Sequence, residues 1–381
     1  MTTSRWIIPD QLFDGTDLRS GMAIKVAEGR IVQQCTRAAV PKGIQARPVK
    51  GIVSPGFIDL QVNGGGGVLL NHVPTVAGLA SIGAAHRQFG TVAILPTLIT
   101  DAPDVLARAA QAVIAARGQA GIIGLHIEGP HISVVRRGTH AECFIRPLDD
   151  TTIAVVHALR AADVPVMITL APEAVVPGQI AALAAMGAVV SIGHSDATAA
   201  GTRAALAEGA SCFTHLFNAM SPMLNRSAGV VGAAINSAAY AGIICDGIHV
   251  ADEMIGLAVR ARPVPDRMFL VSDAMPTVGG PDHFTLYGQD IWLRDGRLVN
   301  HEGSLAGAHV TMAESVQRIV TVVGVAVQAA LRMAVTVPAE VIGRPDLARL
   351  EGRALTDVVL LNADLVTTPL QDALAGVTAI A

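Results

Sequence analysis

From Gly56 onward the chain alternates between short apolar runs that each stop at a polar residue and Ala-rich stretches with helical spacing. The runs are GFIDLQVNGGG, TVAILPTLIT, GIIGLHIEGP, VPVMITLAPE, AVVSIGHSDAT, SCFTHLFNAM, AGIICDGIHV and RMFLVSDAM. Near-continuous apolarity over so few residues predicts strands buried on both faces, as in a parallel sheet. Between most of them lie PDVLARAAQAVIAARG, TTIAVVHALRAAD, TRAALAEGA and ADEMIGLAVRA, which predict helices. A further stretch, TMAESVQRIVTVVG, sets Val316, Ile319, Val320 and Val323 at i, i+3, i+4 and i+7, one face of a helix. Eight strand–helix units in a row predict an α/β fold, a closed (β/α)8 TIM barrel rather than an open sheet.

The ends of the chain follow a different pattern. Residues 1–50 read as short β pieces, RWIIPDQLFDG, then GMAIKVAEGRIVQQC with a turn at Glu28-Gly29-Arg30, then ARPVKGIVSPG. LTDVVLLNADLV, near the other end, is strand-like again and predicts a return to the N-terminal strands. We expect a small discontinuous β-sandwich domain from residues 1–52 and 346–381, with the barrel over 53–345. FTLYGQDIWLRDGRLV interrupts the eighth unit and predicts a hairpin with its turn at Asp295-Gly296.

Composition narrows the function class. The 381 residues are 51% hydrophobic and 15% charged, with a net charge of −4, and this much apolar side chain excludes intrinsic disorder. A pI near 6.3 without a Lys/Arg block, and only 3% aromatics, argue against a nucleic-acid partner. The stretch from Ser227 to Cys245 carries no charge, about the length of a bilayer span. It is rich in Ala and Gly, holds Asn236, and has no aromatic or basic girdle, so a buried soluble segment is expected. Cys35, Cys143, Cys212 and Cys245 are scattered without a CxxC, and MTTSRWIIPDQLFDG has no apolar secretory segment; a reducing cytoplasm is the default.

In such a barrel the chemistry sits at the carboxyl ends of the strands. The polar stops there are Asp59, Gln61 and Asn63, then Glu128, Glu173, His194, His215 with Asn218, Asp246 with His249, and Asp273. Alternation sets His126 and Glu128 on one face, and Asp59, Gln61 and Asn63 on one face. Glu128, His194 and His215 form a His₂Glu set, the three-ligand pattern of a catalytic zinc with one open position. A buried, unpaired Glu128 would be very costly, so a cation is its simplest partner. Asp273 reads either as a turn cap or as a general base for water.

GFIDLQVNGGGG, GLHIEGPHIS, the RRGTH loop, ITLAPE, SIGHSDAT, THLFNAMSPM, GIICDGIHV and LVSDAM stand in the order and spacing of one known family. The chain resembles the N-acetylglucosamine-6-phosphate deacetylase family of the amidohydrolase superfamily over roughly residues 50–345. The resemblance implies metal ligation by Glu128, His194 and His215 and an acid/base role for Asp273. It implies that His249 polarises the acetyl carbonyl, with Asp246 and Gly247 beside it in DGIH. His140, Asn218 and Ala219 are implied to contact the sugar phosphate, Arg226 its phosphate, and Leu305, Ala306 and Gly307 to close over the sugar. It further implies one divalent transition metal per subunit, zinc before iron, cobalt or manganese. The substrate would be a small sugar phosphate in amino-sugar recycling, and the assembly a homodimer that completes the phosphate pocket. The galacto epimer, or another small amide, is the alternative substrate.

Departures from the family pattern lie away from the metal set: the lead-in EGRALTDVVLLN, His131 after EGP, and Cys245 before Asp246. Two-metal relatives, including those that open cyclic amides, usually carry His-x-His on strand one and a carboxylated barrel lysine. Here strand one offers Gln61-Val62-Asn63, and Lys25, Lys42 and Lys50 all precede the barrel. That favours a single metal, because amides bind transition metals poorly.

Overall fold

The structure is a computed structural model describing residues 4–119, 121–301, 303 and 305–376. The eight apolar runs form eight parallel strands: Phe57–Val62, Thr91–Ile99, Leu125–Glu128, Val166–Leu170, Val189–Ile192, Cys212–Phe213, Tyr240–Ile243 and Met268–Leu270. Each hydrogen-bonds to the next in chain order, and we number them barrel strands one to eight. Strands one and eight meet at their carboxyl ends, where Asp273 N donates to Gln61 O at 3.0 Å and Val62 pairs with Ala274. Every residue of strands one to four is buried. Side chains fill the inside of the barrel and helices cover the outside, which is why these strands read as unbroken apolar runs.

The five predicted helices are present as Pro103–Ala115, Asp150–Ala161, Ala199–Glu208, Asp252–Ala261 and Met312–Thr321. The last buries Val316 and Ile319 completely. Its start is fixed by a reciprocal cap: Glu314 N donates to Thr311 Oγ1 at 3.2 Å, and Thr311 N donates to Glu314 Oε2 at 2.8 Å. The charge-free stretch after Arg226 holds the short helix Gly229–Ile235 and then strand seven. Among the described residues no helix is long and apolar enough to cross a membrane.

Both ends of the chain build the β domain on one seven-stranded sheet. Its path runs Thr367–Pro369, Val358–Leu361, Arg47–Pro55, Arg5–Phe13, Met22–Ala27 and Arg30–Thr36, with Leu18–Ser20 beside Arg5–Phe13. The return expected of LTDVVLLNADLV is antiparallel pairing against Arg47–Pro55, with Val358 opposite Pro55. Ile7, Leu12, Ile24, Ile31, Val53, Val358 and Leu370 form a core of its own. Only Gly56 separates Arg47–Pro55 from barrel strand one, so the sheet runs directly into the barrel.

FTLYGQDIWLRDGRLV folds as more than a hairpin. His283–Leu286, Gln289–Arg294 and Arg297–Val299 form a three-stranded meander, turning at Asp295-Gly296 as expected and also at Tyr287-Gly288. Its apolar face, Phe284, Leu286, Ile291 and Leu298, packs on Ile99, Met275 and Ala306, beside the carboxyl ends of the barrel strands.

Candidate active site

Glu128 ends strand three, and the chain leaves strands five, six and eight through His194, His215 and Asp273. These last three have positive φ, at 48°, 27° and 51°, as do Phe217 at 82° and Ala219 at 51°. Such left-handed non-glycine backbone is sparsely populated and gathers where function demands it. It turns the side chains back over the barrel mouth. Glu128, His194, His215 and Asp273 then line one cavity of about 190 Å³ with Asn63, His140, Asn218, Ala219, His249, Leu305 and Gly307.

Three donor atoms converge within this cavity. Glu128 Oε1 lies 3.3 Å from His194 Nε2 and 3.0 Å from His215 Nε2, and the two imidazole nitrogens are 3.0 Å apart. All three residues are buried, and these atoms lie within 4.8 Å of one another. His194 Nδ1 is 2.9 Å from Arg136 O, which places the proton on Nδ1 and leaves Nε2 as a lone pair. His215 Nδ1 is buried and has no hydrogen-bond partner among the described residues. Two imidazole nitrogens aimed at each other and at one carboxylate form a donor set that could hold a metal ion. Burial alone would raise the Glu128 carboxyl pKa, yet the His194 and His215 imidazoles beside it hold it well below the usual range. In turn, Glu128 raises the pKa of His215 against the lowering effect of burial.

Asp273 stands beside this set. Burial, reinforced by repulsion from Glu128, pushes its carboxyl up to about 6. Asn63 Nδ2 donates to Asp273 Oδ1 at 2.7 Å, while Gln61 Nε2 donates both to that oxygen at 3.2 Å and to Glu128 Oε1 at 2.9 Å. The strand-one amides, identified from sequence only as poor metal ligands, therefore fix two carboxylates. Their signal was present as polar stops on a strand otherwise apolar.

His249 is aimed by Asp246, whose Oδ2 lies 2.6 Å from His249 Nδ1. Asp246 Oδ1 accepts from Ile248 N at 2.8 Å and His249 N at 2.9 Å. Asp246 and Gly247 lie outside the cavity lining, so Asp246 sits behind His249 rather than on the pocket surface. His140 Nδ1 is 2.7 Å from Thr100 Oγ1 and its ring lies 4.4 Å from that of His194. Burial pulls the His140 pKa down to about 3, which keeps this ring neutral.

The 305–307 loop behaves unevenly: Leu305 and Gly307 line the cavity, and Ala306 is buried beneath it. Gly307 has φ +71°, and a Cβ there would come within 2.6 Å of Met275, which also lines the cavity. Arg226 is exposed on the loop after strand six and is not part of the lining formed by its own chain. Glu173, another strand-end stop, has a structural task, accepting from Ser195 Oγ at 2.8 Å and Asp196 N at 2.6 Å.

A parallel eight-strand barrel that carries Glu, His, His and Asp at its carboxyl mouth defines a hydrolase barrel of the amidohydrolase type. No protein-family model matches the chain. An N-acetylgalactosamine-6-phosphate deacetylase from Shewanella sp. (strain ANA-3) is 43% identical over 323 residues, 84% of this chain and 81% of the relative. The N-acetylglucosamine-6-phosphate deacetylase of Haemophilus influenzae is 34% identical over 332 residues, 84% of this chain and 85% of that one. A Mycobacterium smegmatis N-acetyl-D-glucosamine-6-phosphate deacetylase mutant, solved in complex with N-acetyl-D-glucosamine-6-phosphate, superimposes with a TM-score of 0.86 at 31% identity. That match covers 96% of this chain and 97% of the other. The chain belongs to the family of N-acetylglucosamine- and N-acetylgalactosamine-6-phosphate deacetylases, within the amidohydrolase superfamily.

Proposed function

We propose that the protein hydrolyses the N-acetyl group of N-acetyl-D-glucosamine 6-phosphate, giving D-glucosamine 6-phosphate and acetate. The observation that carries this reading is the convergence of Glu128, His194 and His215 on one point, with Asp273 and His249 lining the same cavity. The solved complex of the Mycobacterium smegmatis mutant with this sugar phosphate supports the choice of substrate.

Glu128, His194 and His215 would hold one divalent metal; zinc suits His₂Glu best, with iron, cobalt and manganese as alternatives. When bound, such an ion supplies Lewis acidity, polarising a carbonyl and making water acidic near neutral pH. The rest belongs to the protein. Asp273 takes a proton from the attacking water as its oxygen adds to the acetyl carbon. His249 Nε2, aimed by Asp246 through Nδ1, donates to the carbonyl oxygen as negative charge builds there. Asp273 then passes its proton to the departing nitrogen, the C–N bond breaks, and the amine leaves. Gln61 and Asn63 hold Asp273 in register for both transfers. Asn218, Ala219 and His140 would contact the sugar, and Leu305 and Gly307 would close over it.

Arg226 serves as the phosphate clamp in this reading. Its exposure and its place outside its own chain's cavity support an assembly in which it reaches a partner's pocket, and hence a homodimer. The four free cysteines support a reducing cytoplasm.

The galacto epimer is the second reading, favoured by the 43% identity of the Shewanella N-acetylgalactosamine-6-phosphate enzyme against 34% for the Haemophilus glucosamine one. Acetate release from the two epimers and from unphosphorylated N-acetylglucosamine, measured side by side, decides between them. The account expects the gluco phosphate to give the highest kcat/KM and the unphosphorylated sugar the lowest. Equal rates with and without phosphate would refute the anion clamp.

A further inference from the structure

At the opposite end of the barrel lies a larger cavity, about 940 Å³. Val92, Ile122, Val166 and Val189, at or just ahead of the amino ends of strands two to five, form part of its wall. Five arginines and three acidic residues also line it. This end of a barrel ordinarily serves stability, and a stabilising role would pair the charges. Three arginines are paired: Arg87 with Asp357 at 2.6 Å, Arg117 with Asp163 at 3.0 Å, and Arg344 with Asp346 at 2.8 Å.

Arg160 and Arg353 are different. Among the described residues neither has a carboxylate at ion-pair distance; both are held by backbone carbonyls. Arg160 donates to Val164 O at 2.9 Å and Met186 O at 3.3 Å. Arg353 donates to Arg349 O at 2.8 Å and also to Leu347 O. Carbonyls orient a guanidinium without cancelling its charge. Burial pulls the Arg353 pKa below its ordinary value; Asp357 and Asp346 offset part of that, while Arg344 and Arg87 add to it. Oriented forks facing a cavity, with no carboxylate at ion-pair distance among the described residues, match the bidentate oxygen geometry of phosphate, and the volume is that of a small-molecule site.

We propose that this cavity binds a phosphomonoester anion of nucleotide or sugar-phosphate size, with Arg160 and Arg353 as its anchors. The cavity spans the junction of the two parts of the molecule. Arg87 closes the helix Val76–Arg87 of the barrel, and its partner Asp357 immediately precedes the β-domain strand Val358–Leu361. An anion there ties barrel and β domain together and favours the folded state by mass action, without touching the catalytic mouth.

The test is thermal unfolding of the purified full chain against adenosine 5′-monophosphate, with adenosine as the uncharged probe. The expected result is a saturable rise in Tm with the monophosphate and none with adenosine. In Arg160→Gln and in Arg353→Gln the apparent Kd rises at least tenfold, while kcat for acetate release stays within about twofold of wild type. If Arg353→Gln does not fold, Arg160→Gln decides alone, since that side chain sits on the outer helix Asp150–Ala161. No rise in wild type, or the same rise in the variants, overturns the proposal.

Discussion

Asp246 and Asp273 are both part-buried carboxylates at the barrel mouth, but their partners give them different tasks. Asp246 spends its oxygens on His249 Nδ1 and two backbone amides, so Asp246→Asn should lower kcat by about 10²-fold, with KM changed far less, because a mis-aimed donor is felt in the transition state. Steady-state kinetics on the variant measures this; a loss confined to KM would make Asp246 a binding residue instead. The metal set makes a separate demand. Elemental analysis should find about one transition metal per chain, and Glu128→Gln should lose most of it. At this scale the sequence was informative about residue type and strand-end position, which sufficed for Glu128, His194 and His215. It was silent on Gln61 and Asn63 as props for Asp273, because a hydrogen bond between strands one and eight leaves no periodic trace in one chain.

Among the elements, the apolar runs marked every barrel strand, because burial on both faces leaves no room for alternation. Lengths were less legible. Strand six spans only Cys212–Phe213, since the backbone turns left-handed at His215 to reach the mouth. The helix Gly229–Ile235 escaped the reading because its seven residues are all buried, and an all-apolar stretch shows no amphipathic period. The helix Met312–Thr321 was legible through its period, and its cap makes a prediction. Thr311→Ala removes the acceptor for Glu314 N and should cost about 1 kcal/mol of unfolding free energy. Urea denaturation at unchanged m-value would show it, and an unchanged midpoint would remove the cap from the account.

At the level of the whole molecule, the unusual hydropathy is explained by a double-walled barrel rather than by a membrane span. The chain's two ends were legible as β pieces, and their mutual pairing followed from apolar LTDVVLLNADLV needing a sheet to join. The larger amino-end cavity was not legible, because arginines distant in sequence become neighbours only through the barrel's closure. One interior group should shape global stability. Burial pushes Asp59 up to about 7 from an ordinary 3.8, against hydrogen bonds from Ser272 and the Gln61 amide. The folded chain then holds a proton that the unfolded chain releases, so this group's contribution is fully present below about pH 4 and is lost as pH rises through about 7. Asp59→Asn should therefore gain stability relative to wild type on going from pH 5 to pH 8. Parallel denaturation midpoints at the two pH values test this, and a constant difference would contradict it.

The central claim is that Asp273 works as acid and base beside a one-metal site at the mouth of this barrel. The most direct test is the initial rate of acetate release from N-acetylglucosamine 6-phosphate by Asp273→Asn, with metal content determined on the same sample. The account predicts retained metal at about one per chain and a rate lower by about 10²–10⁴-fold. Near-wild-type turnover with metal in place would contradict it.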